Sequence, residues 1–265
     1  MCERGDYMNE FVALLLTLLV GLFIVFGTAF VLITKNNKKI VQFSISTAFG
    51  VMTSLIVLEL LPESFEHLSD EIDASWKVIG CLLFFIVIGI LLLKVLDLFV
   101  PDHHEKEHEE VDEENLTHIG IVASVALILH NIIEGMAIYT SILSSLELGI
   151  LMCIGVGLHN IPMGMVITST FYTSKKNLKR TIGIVFLTAI STLFGGLLMF
   201  FMSGMLNEFL LGILLAITTG MVLYIAVFEL FPHLIEHKKE KGTITGVLLG
   251  IALLLISVLL GGHHH

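Results

Sequence analysis

Long apolar runs separated by short polar stretches dominate the hydropathy pattern of the chain. Each run has the roughly 20 residues that an α-helix needs to cross the hydrocarbon core of a bilayer. No strand-like alternation competes with these runs, and an open sheet could not satisfy its backbone in lipid. The pattern predicts an all-α integral membrane protein with eight transmembrane segments, numbered in chain order, at about 10–34, 40–62, 76–100, 117–143, 147–172, 180–203, 206–233 and 243–260.

Composition agrees with a single transmembrane domain over 1–262. Of the 265 residues, 55% are hydrophobic and 14% are charged, whereas a soluble domain carries about 25% charged residues. Segment 1 is too long for a cleavable signal, and its N-terminal flank is net acidic. Cys2, Cys81 and Cys153 are scattered, which favours neither a disulfide framework nor a CxxC metal site. The terminal histidines at 263–265 resemble the remnant of a purification tag.

Basic residues are distributed unevenly between the loops. Eleven of the 14 Lys and Arg residues follow segments 1, 3, 5 and 7, while the other loops are acidic or short. Because positively charged loops stay in the cytoplasm, we expect a cell-membrane protein with both termini outside. The formal charge of −10 comes mostly from loop carboxylates and indicates no nucleic-acid partner.

Two segments end in similar sequences. Segment 2 ends in VLELLPES and segment 7 in VFELFPHL, each with a glutamate, two apolar residues and a proline. The two segments run in opposite directions, so the similarity predicts an inverted repeat of segments 1–3 and 6–8, a common plan in transporters. The simpler interpretation is that Glu-x-x-Pro marks a helix end.

Segments 4 and 5 each carry a polar motif inside an apolar run, LHNIIEGMAI and LHNIPMGMVI. His130 and Glu134 share a helix face because they are four residues apart, with Asn131 beside them. His159 and Asn160 occupy the matching positions of the second motif. A charge near mid-membrane costs about 2.5–3.5 kcal/mol on insertion scales, so these positions call for a functional explanation.

Imidazole nitrogen and carboxylate oxygen together suit zinc and its first-row neighbours. Two facing helices would supply two histidines and a glutamate, and the asparagines would add carbonyl oxygens or outer hydrogen bonds. The alternative is that the polar residues only join helices, at about 0.6 kcal/mol per contact. Two copies of the motif, one with an intramembrane acid, favour the metal site.

The motifs resemble those of the ZIP (Zrt/Irt-like protein) family of divalent metal transporters. HNxxEG in segment 4, HNxPxG in segment 5, eight segments and a histidine-rich loop after segment 3 carry the resemblance, which covers essentially the whole chain. It implies a three–two–three arrangement of helices. It also implies movement of zinc, and often iron, manganese or cadmium, toward the cytoplasm.

The resemblance further implies a two-metal centre in mid-membrane. Its first site would fall on His130, Glu134 and His159. Met52 stands where some members place a thioether ligand, although an ordinary core methionine is an equal interpretation.

The second site of the family would use Asn131, Glu134, Asn160 and acids of segments 5 and 6. This chain has Met163 at the segment 5 position, and Thr192 and Leu193 where segment 6 often has a glutamate followed by proline. The hypothesis is therefore that one metal site is kept and the other is lost. Met163 is either a soft ligand or apolar filler.

Charged residues outside the twin motifs suggest a route for the ion. An entrance at the outer end of segment 2 would use Glu59, Glu63, Glu66 and His67. The alternative there is a solvated acidic loop. At the inner end of segment 7, the resemblance implies an exit path with Glu229 and His233.

The loop at 101–117 is charged, and its composition is typical of a disordered segment. We expect His103, His104 and His108 to bind zinc weakly, as a cytoplasmic buffer or sensor. A plain solvated linker is the alternative.

Two other functions stay open from the sequence alone. An intramembrane zinc-dependent hydrolase would also hold His and Glu near a metal-activated water, although none of the eight predicted transmembrane segments contains an HExxH motif. A metal sensor would bind the ion without transporting it. The expected partners are the metal ion as substrate and the lipid bilayer; a homodimer is left open.

Overall fold

The structure, a computed structural model, describes residues 3–34, 38–99, 108–175, 178–202, 207–238 and 240–261. These residues are helical apart from short turns, and no β-strand occurs among them. Within these described ranges, eight helices are long and apolar enough to cross a membrane, which confirms the predicted all-α membrane fold. They are α1 (Glu3–Leu22 and Ile24–Ile33), α2 (Lys38–Leu55, Ile56–Leu60 and Leu61–Ser69), α3 (Ser75–Asp97), α4 (His108–Ser144), α5 (Leu146–Lys175), α6 (Leu178–Met202), α7 (Glu208–Tyr224, Ile225–Leu230 and Phe231–Glu236) and α8 (Lys241–Gly261).

Three helices extend by seven residues or more beyond the ends predicted from the sequence, and the first of them is α1, which begins at Glu3. α2 continues to Ser69 because Pro62 lies in the first turn of its last stretch, where the missing N–H of a proline is tolerated. α4 begins at His108, inside the predicted loop at 101–117.

α2 and α7 share a local distortion, a π-helical turn just before a proline. The turns are Ile56–Leu60 before Pro62 and Ile225–Leu230 before Pro232. A proline cannot donate the usual i→i−4 hydrogen bond, and a wider turn at that point accommodates the loss. Such turns are frequent at functional sites. The inverted repeat and the three–two–three arrangement stay predictions.

Reciprocal pairs of glycines form four of the helix crossings. A Cβ atom added at any of the eight glycines would lie 1.9 to 2.3 Å from a backbone oxygen of the neighbouring helix, so only glycine allows these helices to approach so closely. The pairs are Gly27 with Gly164, Gly135 with Gly195, Gly50 with Gly250, and Gly89 with Gly220.

Two of these glycines belong to the twin motifs. Gly135 in LHNIIEGMAI fixes α4 against α6, and Gly164 in LHNIPMGMVI fixes α5 against α1. A hydrogen bond of 2.9 Å from the hydroxyl of Thr168 to that of Thr28 also joins α5 to α1. The two helices that carry the polar motifs are therefore each held by one neighbouring helix at close range.

Candidate metal centre

The twin motifs bring three side chains together between α4 and α5. We call His130, Glu134 and His159 the central cluster. Glu134 Oε1 lies 2.8 Å from His159 Nε2 and 3.5 Å from His130 Nε2. One ligand atom from each of the three residues lies within 4.8 Å of the other two, and all three residues are buried. The structure thus brings the three predicted ligands into one group.

The donor atoms of the central cluster fit a metal ion. Glu134 Oε2 and His130 Nε2 are buried, and neither has a hydrogen-bond partner among the described residues. Buried polar atoms in proteins are nearly always paired. A cation held between one carboxylate and two imidazoles would satisfy these atoms, and this nitrogen and oxygen set suits zinc and related transition metals.

The two asparagines differ in what they contact. Asn131 Nδ2 donates a hydrogen bond of 3.0 Å to the backbone oxygen of Thr188, which joins α4 to α6. Asn160 is fully buried, and neither its amide nitrogen nor its oxygen has a partner in the described part of the chain. The motif on α5 therefore places, next to the cluster residue His159, a side-chain amide without a hydrogen-bond partner among the described residues.

The positions at which the chain departs from the family pattern are also buried. Met52 and Met163 belong to the main apolar cluster of the protein, and their roles as thioether ligands stay predictions. Thr192 lies against α4, since its backbone oxygen would be 1.9 Å from a Cβ atom at Gly135. Its buried hydroxyl has no partner within the described ranges. The segment 6 position thus meets α4 through its backbone oxygen, while its hydroxyl lies toward α1, 3.0 Å from a Cβ atom added at Gly21.

One of the four predicted entrance residues borders the central cluster. Glu59 Oε2 lies 3.9 Å from Nδ1 of His159, on the opposite side of the imidazole ring from Glu134. Glu63, four residues later, is half-buried and within charge–charge range of His159. Glu66 is exposed and His67 is half-buried. Acidic groups thus continue from the surface to the cluster, and the entrance role stays a prediction.

A second group of ionisable side chains joins three helices, and we call Asp97, His118 and Glu229 the inner cluster. His118 Nε2 lies 2.7 Å from Asp97 Oδ1 and 3.7 Å from Glu229 Oε1. Tyr224 donates a hydrogen bond of 2.7 Å to Asp97 Oδ2. These side chains are partly exposed, Asp97 at 20%, and they have the composition of a cation site.

The sequence analysis named Glu229 but missed Asp97 and His118. Both lie inside predicted transmembrane segments, and an ionisable residue in such a segment is a functional candidate in itself. That rule would have found them. The ring of the predicted exit residue His233 stacks on that of His237, with 4.4 Å between centroids.

The loop histidines are not tested by the structure. His103 and His104 lie outside the described residues, as do Cys2 and the histidines at 263–265, and His108 is described only as the first residue of α4.

Buried apolar residues separate the two clusters along α4. His118 and His130 are on the same helix, about 18 Å apart at a rise of 1.5 Å per residue. Four apolar residues that lie between them are each at most 2% exposed, and we call these four the apolar layer: Val122, Ala123, Ala126 and Leu127. Four buried apolar side chains of α4 thus lie between the two clusters along this helix.

Comparison with known proteins gives consistent results. The sequence profile of a family described as "ZIP Zinc transporter" matches residues 100–257. The chain is 38% identical over 263 residues to the zinc transporter ZupT of Chlorobium luteolum, covering 94% of this chain and 97% of that protein. It is 31% identical to ZupT of Streptococcus mutans, at 94% and 97% coverage, and 30% identical to ZupT of Clostridium perfringens, at 97% and 99%.

Proposed function

Because the chain belongs to the ZIP family of zinc transporters, we propose that it carries Zn²⁺ across the cell membrane toward the cytoplasm. The chain is a multi-pass membrane protein and a transporter of divalent metal rather than an enzyme, which sets the hydrolase alternative aside. Fe²⁺, Mn²⁺ and Cd²⁺ are the other candidate substrates, because imidazole and carboxylate ligands do not distinguish them strongly.

The central cluster is the observation that supports this proposal. Two imidazoles and a carboxylate meet in the buried middle of the protein, with buried donor atoms that lack partners in the described part of the chain. The cluster holds one metal ion in our proposal. Met163 and Thr192 supply no charge, and a second dication beside the first would meet strong repulsion in a low dielectric.

The acidic side chains suggest the order of events. The ion enters past Glu66, Glu63 and Glu59, loses its water at the central cluster, and reaches the inner cluster after the helices rearrange. Glu229 then belongs to the exit path, and the inner cluster faces the cytoplasm in the orientation predicted from the loop charges. Alternating access is needed because the apolar layer closes the direct route.

Uptake into proteoliposomes tests this function. The purified chain is reconstituted, and uptake of Zn²⁺, Fe²⁺, Mn²⁺ and Cd²⁺ is measured for the wild type, for Glu134→Ala and for Glu147→Gln. Glu147 is an exposed carboxylate in the first turn of α5 and serves as the matched control. We expect zinc uptake by the wild type and by Glu147→Gln, and none by Glu134→Ala although it folds.

Wild-type liposomes that take up none of the four ions would overturn the transport proposal. Normal uptake by Glu134→Ala would instead leave transport standing and remove the central cluster from it. The number of zinc ions bound per chain at equilibrium tests the one-site proposal, since the central cluster predicts one tightly bound ion.

A further inference from the structure

The imidazole of His159 lies between two carboxylates from different helices. Its Nε2 faces Glu134 Oε1 at 2.8 Å, and its Nδ1 faces Glu59 Oε2 at 3.9 Å. His159 is fully buried, and Nδ1 has no hydrogen-bond partner among the residues that the structure describes. Glu59 is itself only 17% exposed. The ring therefore has a carboxylate near each of its nitrogens.

The π-helical turn of α2 accounts for the position of Glu59. Glu59 is the fourth residue of the turn Ile56–Leu60, and α2 packs against α5. A π-turn contains one more residue than an α-helical turn, so it changes the direction of the side chains that follow. Pro62 is the cause of the wide turn in our interpretation, and the direction of Glu59 toward α5 is its result.

The chemistry of imidazole makes the second carboxylate important when a metal binds. A neutral imidazole carries one N–H, and a metal ion at Nε2 requires that the hydrogen be on Nδ1. That N–H then points at Glu59. A shift of about 1 Å would bring the two atoms to hydrogen-bond distance. Carboxylates that hold metal-bound histidines in this way fix the ring orientation and strengthen the ligand.

The charges give Glu59 a second role. One dication beside Glu134 alone leaves a charge of about +1 in a buried site, which is costly in a low dielectric. Glu59 brings a second carboxylate to the site without touching the ion. It would therefore do electrostatically what an acid at position 163 would do as a direct ligand.

We propose that Glu59 is a positioning residue of the central cluster, which holds the Nδ1–H of metal-bound His159 and replaces the negative charge missing at Met163. The inference rests on the proposed function, because it concerns the same metal site. It changes the predicted role of Glu59 from an entrance residue to a part of the site. Glu63 and Glu66 keep the entrance role.

The test measures Zn²⁺ binding to the full chain in detergent, and Zn²⁺ uptake in proteoliposomes, for five proteins. They are the wild type, Glu59→Gln, Glu59→Asp, the double variant Glu59→Gln with Met163→Glu, and the control Glu147→Gln. Loss of an outer carboxylate typically weakens metal binding about 10- to 100-fold, and we expect that loss for Glu59→Gln. We expect Glu59→Asp to recover part of the affinity.

The double variant separates electrostatics from structure. An acid at position 163 returns the missing charge from α5, so we expect the double variant to bind Zn²⁺ within about tenfold of the wild type. A merely structural role for Glu59 in α2 would not be repaired by a new carboxylate on α5. Wild-type binding by Glu59→Gln would overturn the inference, and so would a loss that neither Glu59→Asp nor the double variant recovers.

The outcomes also distinguish this inference from the proposed function. If the wild type transports Zn²⁺ and Glu134→Ala does not, the transport proposal stands whatever Glu59→Gln does. If the wild type transports none of the ions tested, the proposed function fails first, and the inference with it. Thermal unfolding of each variant shows whether a low affinity reflects a changed site or an unfolded protein.

Discussion

The central and inner clusters use the same kinds of ligand in different proportions. The central cluster has two histidines and one carboxylate on two helices, all buried. The inner cluster has one histidine and two carboxylates on three helices, and its side chains are up to 20% exposed. In the proposed function, the buried cluster would bind an ion only after its water is removed, whereas the inner cluster leaves water within reach. We infer that the first selects the ion and the second releases it.

The contacts that hold the helices together near the two clusters differ as well. Gly135 directly follows Glu134 and allows α4 to contact the backbone of α6. In the inner cluster, hydrogen bonds and charge pairs between side chains connect α3, α4 and α7. A close backbone contact also joins α3 to α7, at Gly89 and Gly220. The glycine of the central cluster directly follows a cluster residue, whereas Asp97 and Glu229 lie about two helical turns beyond those glycines. Four predictions test this contrast, from the largest effect to the smallest.

The central carboxylate should matter most. Glu134→Gln removes the one charged ligand of the central cluster while keeping its shape. Loss of an outer partner alone costs about 10- to 100-fold in metal affinity, so we expect the loss of this ligand to exceed about 100-fold. Equilibrium binding of Zn²⁺ measures it. If Glu134→Gln binds Zn²⁺ as the wild type does, the ion is held elsewhere and the contrast between the clusters fails.

The glycine support of the central cluster should be sensitive to one methyl group. A Cβ atom at Gly135 would lie 1.9 Å from the backbone oxygen of Thr192, and overpacking of this kind destabilises by about 1–3 kcal/mol or more. We expect Gly135→Ala to unfold at a clearly lower temperature in detergent. The matched control is Gly183→Ala. Gly183 lies in the membrane-spanning part of α6, the helix next to α4, and a Cβ atom added there would have no atom within 4 Å. Equal stability of the two variants would contradict the close crossing.

The inner cluster should affect the rate of transport more than equilibrium binding. Asp97→Asn weakens the charge pair with His118 and the attraction for an arriving ion. A loss of about 1 kcal/mol corresponds to roughly a fivefold slower step, and we expect a decrease of about that size in Zn²⁺ uptake. Binding at the central cluster is measured in parallel. A larger loss of binding than of rate would show that the two clusters do not have separate roles.

The smallest effect should come from the tyrosine that contacts the inner cluster. Tyr224→Phe removes the hydroxyl that donates to Asp97 Oδ2. A net hydrogen bond is worth about 0.5–1.5 kcal/mol, and Asp97 keeps its contact with His118. We expect uptake to fall by less than Asp97→Asn lowers it. Uptake by Tyr224→Phe below that of Asp97→Asn would mean that the tyrosine, rather than the charge pair, controls release.

Acid conditions offer an independent check on the histidines. Neutral imidazole is the form that binds metal, so protons compete with Zn²⁺ for the ring nitrogens as the pH is lowered. Affinity should fall with pH in the wild type.

The sequence predicted the helices and the central ligands for different physical reasons. Apolar runs of spanning length leave a chain in lipid little choice but a helix, and the i, i+4 spacing of His130 and Glu134 fixes their common face. The packing of α4 beside α5 belongs to the tertiary structure. The repeated motif suggested that packing but could not establish it. The contact between Glu134 and His159 needed the structure.

Glu59, Asp97 and His118 show where sequence reasoning stopped. Hydropathy assigned Glu59 to the outer end of segment 2, because a proline and more acids follow it. The π-helical turn changes its direction, and no pattern of apolar positions reveals one extra residue in a turn. Asp97 and His118 are far apart in sequence from Glu229, so only the packing of α3, α4 and α7 could show that they meet.

The apolar layer on α4 bears on the leakage of ions across the membrane. Moving an unshielded ion into a medium of low dielectric costs on the order of tens of kcal/mol. A membrane voltage of 100 mV supplies about 2.3 kcal/mol per charge, hence about 4.6 kcal/mol for a dication. The voltage therefore supplies far less free energy than an ion needs to enter the apolar layer. In the transport mechanism proposed above, many copies of this protein can share one membrane without discharging its ion gradients.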